Sequence, residues 1–565
     1  MDDHCIERIT SNDYADFLTD YSRNLEVLRN DPNICLDIID ENIAIVYVHQ
    51  NLVLPNAVQV YGYNVFPRCF GLLDTKSVEA SGVTKLRNIP TLNLQGHGVL
   101  IGIIDTGIDY THNAFKNIDG TSKILSMWDQ TIQSGPPPKD FLFGTEYTKD
   151  QINEALLSDN PMSIVPSMDE IGHGTFLAGI AAGSISQENG FSGVSPGAQL
   201  AVVKLKPAKP YLKEFLAIPP DAICFQENDI ILGAKYLVSV ASRLQRPLAL
   251  CIGLGTSQGA HDESGFLSSY LSTIARKNLV AVVIAGGNEG NSGHHYYGVF
   301  KNDDKYKTVD LKVGPNVYGF TMDLWGSAPS SFSIDILSPT GELIEKIPAR
   351  IGESRKLKFQ DEKTIIKIDY LFVEAQTGSP LILMRFHNPT EGIWRFNIYN
   401  NLGFDSDFNI WLPVTSFLDN QTYFLEANPY TTMTHPANTI IPIKVTAYDP
   451  SDRSLYIDAS KGFTRNNFVS PDITAPGVNI IGPALNNGYI TKSGTSIAAA
   501  HVAGIAAILL EWGYVRGNFT RINSVEIKNF IIRGAIRDTS ITYPSREWGY
   551  GILDIYNSLL NLYDD

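Results

Sequence analysis

Three separated stretches of this 565-residue chain carry a carboxylate, an imidazole and a hydroxyl, each beside glycine. They are Asp105 in IIDTGID, His173 in GHGTFLAG and Ser496 in SGTSIAAAHVAG. A serine hydroxyl attacks a carbonyl only when an adjacent imidazole takes its proton, and the imidazole needs a buried carboxylate to hold its tautomer. Taken singly, Asp105 reads as a turn residue, and His173 and Ser496 as N-terminal caps of helices. Taken together they have the composition of a nucleophile, a base and an orienting group. The neighbouring glycines let a substrate backbone come close. A serine opening an apolar helix also sets the helix's positive end beside developing negative charge.

Such groups act only if the chain brings them together, and the pattern around them is that of an α/β protein. GVLIGIIDTG, AQLAVVKL, PLALCIGLG and LVAVVIAGGNEG read as buried strands that end in glycine-rich turns. Helical stretches alternate with them, as in a parallel sheet. Asp105 then sits at the carboxyl end of a strand, where functional residues of such sheets gather. The run TKSGTSIAAAHVAGIAAILLEW approaches the ~20 residues of a membrane span, but its polar start, His501 and Glu511 favour a buried core helix. Residues 1–75 form a small mixed segment, with a helix-like YADFLTDYSRNLEVLRN and strand-like IAIVYVHQ and AVQVYGYNVF. Between residues 302 and 423 short alternating strands replace the α/β texture, which suggests an inserted all-β sandwich or jelly roll. The expected division is thus 1–75, 76–301, 302–423 and 424–565.

A net charge of −16 argues against nucleic acid and anionic membranes as partners. The five cysteines are too few, too scattered and odd in number for a disulfide framework, and no C-x-x-C pair suggests zinc. The acidic start MDDHCIERITSNDYADF lacks the basic and apolar regions of a signal peptide. The expectation is a protein made and kept inside a cell.

The three blocks, in the order Asp, His, Ser, resemble the signature blocks of the subtilisin-like serine proteases, the subtilases. The resemblance covers about residues 80–301 and 424–560 and implies a three-layer parallel-sheet fold and endopeptidase activity. It implies Asp105 as orienting carboxylate, His173 as general base and acid, and Ser496 as nucleophile. IAGGNEG would supply Asn288 as oxyanion donor, and Gly253, Leu254 and Gly255 would be the edge strand that pairs with substrate. ITAPGV matches the block preceding the nucleophile, and the first 75 residues resemble a prodomain whose tail enters the cleft and is cut between residues 60 and 80. Ile497 and Ala500 stand where the family usually has Met and Pro. Ala114 stands where many relatives carry a calcium-binding Asp, so no metal cofactor is expected. His294 and His295 read as loop residues rather than metal ligands.

The WDQT…GPPP…FGTEYT insertion before the histidine block, together with the β-rich insert, is similar to the Csp germination proteases of clostridial spores. That resemblance implies packaging in the spore and limited proteolysis of the zymogen of a spore-cortex-lytic enzyme (SleC). A protease-fold scaffold or signalling protein, its cleft plugged by a retained prodomain, is the alternative. For the insert, a packing role is favoured over glycan binding.

Overall fold

Apolar strands that follow one another through helices must bury both faces of their sheet. The computed structural model describes residues 4–21, 28, 29, 31, 33–73, 93–301, 304–348 and 354–560. Its central sheet has eight strands, in the order Ile473–Pro476, Ile443–Tyr448, Val280–Ala285, Leu248–Ile252, Leu100–Asp105, Gln199–Lys204, Ile124–Asp129 and Thr145–Thr148. All neighbours run parallel except the last pair. Helices His173–Ala182 and Thr495–Leu510 cover one face, and Glu227–Leu244 and Phe266–Ala275 cover the other.

The apolar run at the nucleophile block is helical from Thr495 to Val515 and is buried from Thr495 to Gly513. A helix apolar on every side is stable there because it touches the sheet, the histidine helix and the C-terminal elements at once. Glu511 at its end is also buried, and its carboxylate accepts from the backbone N–H groups of Gln95, Gly96 and His97 at 2.8, 2.6 and 3.1 Å. Three such donors satisfy a charge that would otherwise be costly to bury.

The N-terminal segment is a helix, His4–Thr10, on an antiparallel sheet ordered Tyr14–Asp20, Ile43–His49, Ile34–Ile38. Tyr14–Asp20, expected as helix, is therefore a strand, and it pairs along its length with Ile43–His49. Both of its faces are covered, with Leu18 against the Glu227–Leu244 side and Ala15 and Phe17 against the insert. Two-sided burial removes the alternation that would have marked it as a strand. Residues 22–27 and 30 of that stretch lie outside the described residues, as do the expected boundary at 75 and 76 and residue 302. Cys5 and Cys35 form a disulfide that ties the helix to the sheet. Cysteine count and spacing gave no sign of this bridge, so they carry no argument for a reducing compartment.

The insert is a sandwich of a six-stranded and a five-stranded antiparallel sheet around one apolar core. It takes in His295–Phe300, earlier than the pattern suggested, because Tyr296 and Phe300 point into that core. His295 accordingly opens that strand instead of lying in a loop, His294 just before it is buried as well, and His295 Nε2 donates to Asn409 Oδ1 at 2.9 Å. The outer face of the six-stranded sheet presents Trp325, Leu381, Leu383 and Trp411 to the N-terminal segment, forming a second core with Ala15, Phe17, Tyr63 and Phe66. Catalytic-fold helices, N-terminal segment and insert thus share apolar interfaces.

Candidate active site

Asp105, His173 and Ser496 come from three elements: the end of a central strand and the first turns of the two helices on one face of the sheet. Asp105 Oδ1 lies 2.7 Å from His173 Nδ1, and His173 Nε2 lies 3.3 Å from Ser496 Oγ. All three are at most 1% exposed. The Thr106 N–H donates to Asp105 Oδ1 at 2.8 Å, while the Thr106 hydroxyl accepts the Gly174 N–H at 3.0 Å. The strand's turn and the histidine helix are locked by that pair. A Cβ on Gly174 would stand 2.2 Å from the Gly107 carbonyl, so this approach requires glycine. Asp169 completes the support by accepting from the N–H groups of Gly172 and Thr175 at 2.8 and 2.9 Å.

Asn288 follows the strand Val280–Ala285. Its Oδ1 accepts the Thr495 N–H at 3.2 Å and the Thr495 hydroxyl at 3.0 Å, and that hydroxyl accepts from the Gly287 N–H. Fixing the oxygen in this way leaves Nδ2 as the amide's donor, on a side chain held by the residue next to the nucleophile. Thr495 is a positioning residue that sequence reasoning passed over, although it directly precedes Ser496.

The edge strand is occupied. Leu254 and Gly255 pair antiparallel with Leu72 and Gly71 of the strand Cys69–Leu72. On its other side Cys69 and Phe70 pair with Gln226 and Phe225. The chain then carries Leu73 into the site, where its carbonyl accepts the Ser496 hydroxyl. Phe225 and Gln226, the second flanking strand, had no signal in the sequence, since two residues are too few for periodicity. Gly253 is closely packed: an added Cβ would meet Ser496 Cβ at 3.2 Å and His173 Cε1 at 3.3 Å. Gly71 is pressed similarly against Ser416, with an added Cβ at 2.2 Å from its Oγ.

The substitutions at the family positions are accommodated in the core. Ile497 and Ala500 are fully buried on the serine helix. Ala114 is 2% exposed, in a one-turn helix Asn113–Phe115, and its carbonyl accepts the Ser184 N–H at 2.8 Å. Chemically, the assembly can take a proton from a hydroxyl, hold the resulting imidazolium, and donate to an oxyanion formed at a peptide carbonyl in the cleft.

Comparison with known proteins agrees. The chain is similar to the solved structure of the Clostridium perfringens CspB protease, with a TM-score of 0.77 and 30% identity over 86% of this chain and 99% of that one. It is 23% identical to the minor extracellular protease Vpr of Bacillus subtilis (strain 168), over 83% of this chain and 52% of Vpr. It is 24% identical to the subtilisin-like protease SBT3.4 of Arabidopsis thaliana, over 75% of this chain and 57% of the relative. The chain therefore spans little more than half the length of these curated relatives. The model of the subtilase family matches residues 96–309 and 413–551, two blocks that leave out most of the insert and hold Asp105, His173, Asn288 and Ser496. With that match on the strands and helices that carry the carboxylate, imidazole and hydroxyl, the chain belongs to the subtilases, a family of serine endopeptidases.

Proposed function

We propose that this chain is a serine endopeptidase that first cuts itself after Leu73 and then acts on a protein substrate by limited proteolysis. The observation that carries this reading is the Leu73 carbonyl at the Ser496 hydroxyl, on a strand hydrogen-bonded on both sides to the cleft. In the proposed mechanism Ser496 Oγ attacks the Leu73 carbonyl carbon while His173 Nε2 takes its proton. Asp105 holds the imidazolium through Nδ1. The oxyanion receives the Asn288 amide and the Ser496 N–H at the start of its helix. Collapse breaks the bond to Asp74, whose nitrogen takes the proton from His173. Water then hydrolyses the ester on Leu73 through the same base.

The test is the intact mass of the recombinant chain beside its Ser496→Ala variant. Cleavage of the parent between Leu73 and Asp74, with the variant whole, is expected. A parent that stays whole, or a variant that is cut at the same bond, overturns the proposal.

The resemblance of the WDQT…GPPP…FGTEYT insertion and the β-rich insert to the Csp germination proteases leads us to propose a role in spore germination, with a cortex-lytic zymogen as substrate and the forming spore as the place of action. A second reading has an observation of its own. The N-terminal segment shares an apolar core with the insert, and the Tyr63 hydroxyl donates to the buried Asp323 carboxylate at 2.9 Å. An N-terminal segment held this way would stay in the cleft after it is cut and make the chain a plugged scaffold. Peptidase activity of the separated catalytic part, absent from the native complex, would distinguish the two.

A further inference from the structure

A cavity of about 680 Å³ lies where the N-terminal segment, the catalytic fold and the insert meet, and no residue lining it belongs to the cleft. One wall is the N-terminal stretch around Gln50 to Val58, another is helix Pro210–Phe215, and the floor is the outer face of the insert's six-stranded sheet. Across that floor three cations stand directly opposite one another on neighbouring strands. Lys356 faces Lys367, and Lys367 faces Arg385. Arg355 lines the same space, and Asp369 is the one carboxylate among the lining residues.

Like charges placed directly opposite destabilise a sheet. Here three occur in a row, within a chain whose net charge is −16. Asp369 offsets one member of the row, pairing with one nitrogen of the Arg385 guanidinium, and leaves the charges of Lys356 and Lys367 in excess. The carboxylates of Glu214 and Asp323 act on the row only at longer range. Arg385 is 7% exposed, and its Nε has no hydrogen-bond partner among the described residues. The Tyr211 hydroxyl, on the helical wall, also lacks one. The guanidinium is held over the Phe215 ring at 4.5 Å, so it cannot turn away to water. Its neighbours respond in kind: burial, then Lys367, Arg385 and Lys356, push His387 down to about 4.

A buried donor left unspent beside two lysines with no ion-pair partner among the described residues is what an anion would complete. We propose that this cavity binds a small oxyanion, a phosphate or a carboxylate, held by Arg385, Lys367 and Lys356 with Tyr211 as a neutral donor. Because the N-terminal stretch closes the cavity, the bound anion fastens that segment to the insert.

The experiment is calorimetric titration of the full chain carrying Ser496→Ala with inorganic phosphate and, separately, with citrate, at ionic strength held constant with chloride. Saturable binding of either is expected, with a rise in melting temperature. Phosphate alone would identify a phosphoryl ligand, citrate alone a carboxylate ligand, and both a general oxyanion site. Lys367→Gln tests the charge row without touching the buried Arg385–Asp369 pair. It should weaken binding about tenfold or more, yet melt higher than its parent when no anion is present. A merely structural lysine would not raise the melting temperature on removal. Failure of both anions to bind saturably, or unchanged affinity in both Lys367→Gln and Lys356→Gln, overturns the proposal.

Discussion

At the residue scale, the site depends on groups whose own hydrogen bonds leave them little freedom. Asn288 is the clearest instance, since Thr495 occupies its oxygen twice and so orients its amide. Asn288→Ala should lower kcat about 10²–10³-fold, or about 3 kcal/mol, the range measured for such a donor in subtilisin itself. Its KM should change little, because the oxyanion forms only in the transition state. Steady-state kinetics on a peptide substrate checks this, and a large rise in KM at unchanged kcat would remove Asn288 from the oxyanion role. Asn288, His173 and Asp105 were legible because their blocks are short and local. Thr495 and Asp169 were not, since their role appears only when their partners are in place.

At the element scale, the strand Cys69–Leu72 matters most, because it carries Leu73 to the nucleophile and is itself gripped on both edges. The N-terminal sheet behind it is held by buried polar contacts, including Asp323, which accepts from the Tyr63 hydroxyl and the Gly259 N–H. Burial pushes the Asp323 carboxyl up to about 6, against the lowering effects of Tyr63, Gly259, Arg68 and Arg385. Freed from the N-terminal segment it returns towards its ordinary value near 4. The docked state therefore binds the proton more tightly than the free state. Its contribution to docking is full below about pH 4 and is lost as pH rises through about 6, up to roughly 3 kcal/mol. The rate at which the cut segment dissociates should accordingly rise between pH 5 and 7, measured by native size exclusion or surface binding. Asp323→Asn should flatten that dependence, and an equally steep profile in the variant would contradict the assignment.

At the scale of the whole molecule, the insert is a brace. One of its sheets faces its own core and, on the other side, the N-terminal segment, which is itself paired with the catalytic fold through the strand Cys69–Leu72, so the three bodies are joined. Ala114, at the position where the subtilase resemblance implies a calcium ligand in many relatives, sits buried among apolar neighbours. We propose that this brace, rather than a metal, stabilises the fold. Treatment with a chelator should then leave the melting temperature within about a degree and activity unchanged. A loss of several degrees that calcium restores would reverse that view.

The sequence by itself determined the fold class and named the three residues that the structure brings together. Glycine-flanked Asp105, His173 and Ser496 lie at the mouths of long apolar elements, and such elements announce themselves through unbroken hydrophobic runs. It did not reveal the strand Tyr14–Asp20, because burial on both faces erases the period of two. Nor did it reveal the Cys5–Cys35 bridge, the two-residue strand Phe225–Gln226, or the row of Lys356, Lys367 and Arg385. Each of these is a pairing between residues far apart or too few to leave a pattern. Only the tertiary structure decides which strands lie side by side, and therefore which charges face each other and which carbonyl meets the nucleophile.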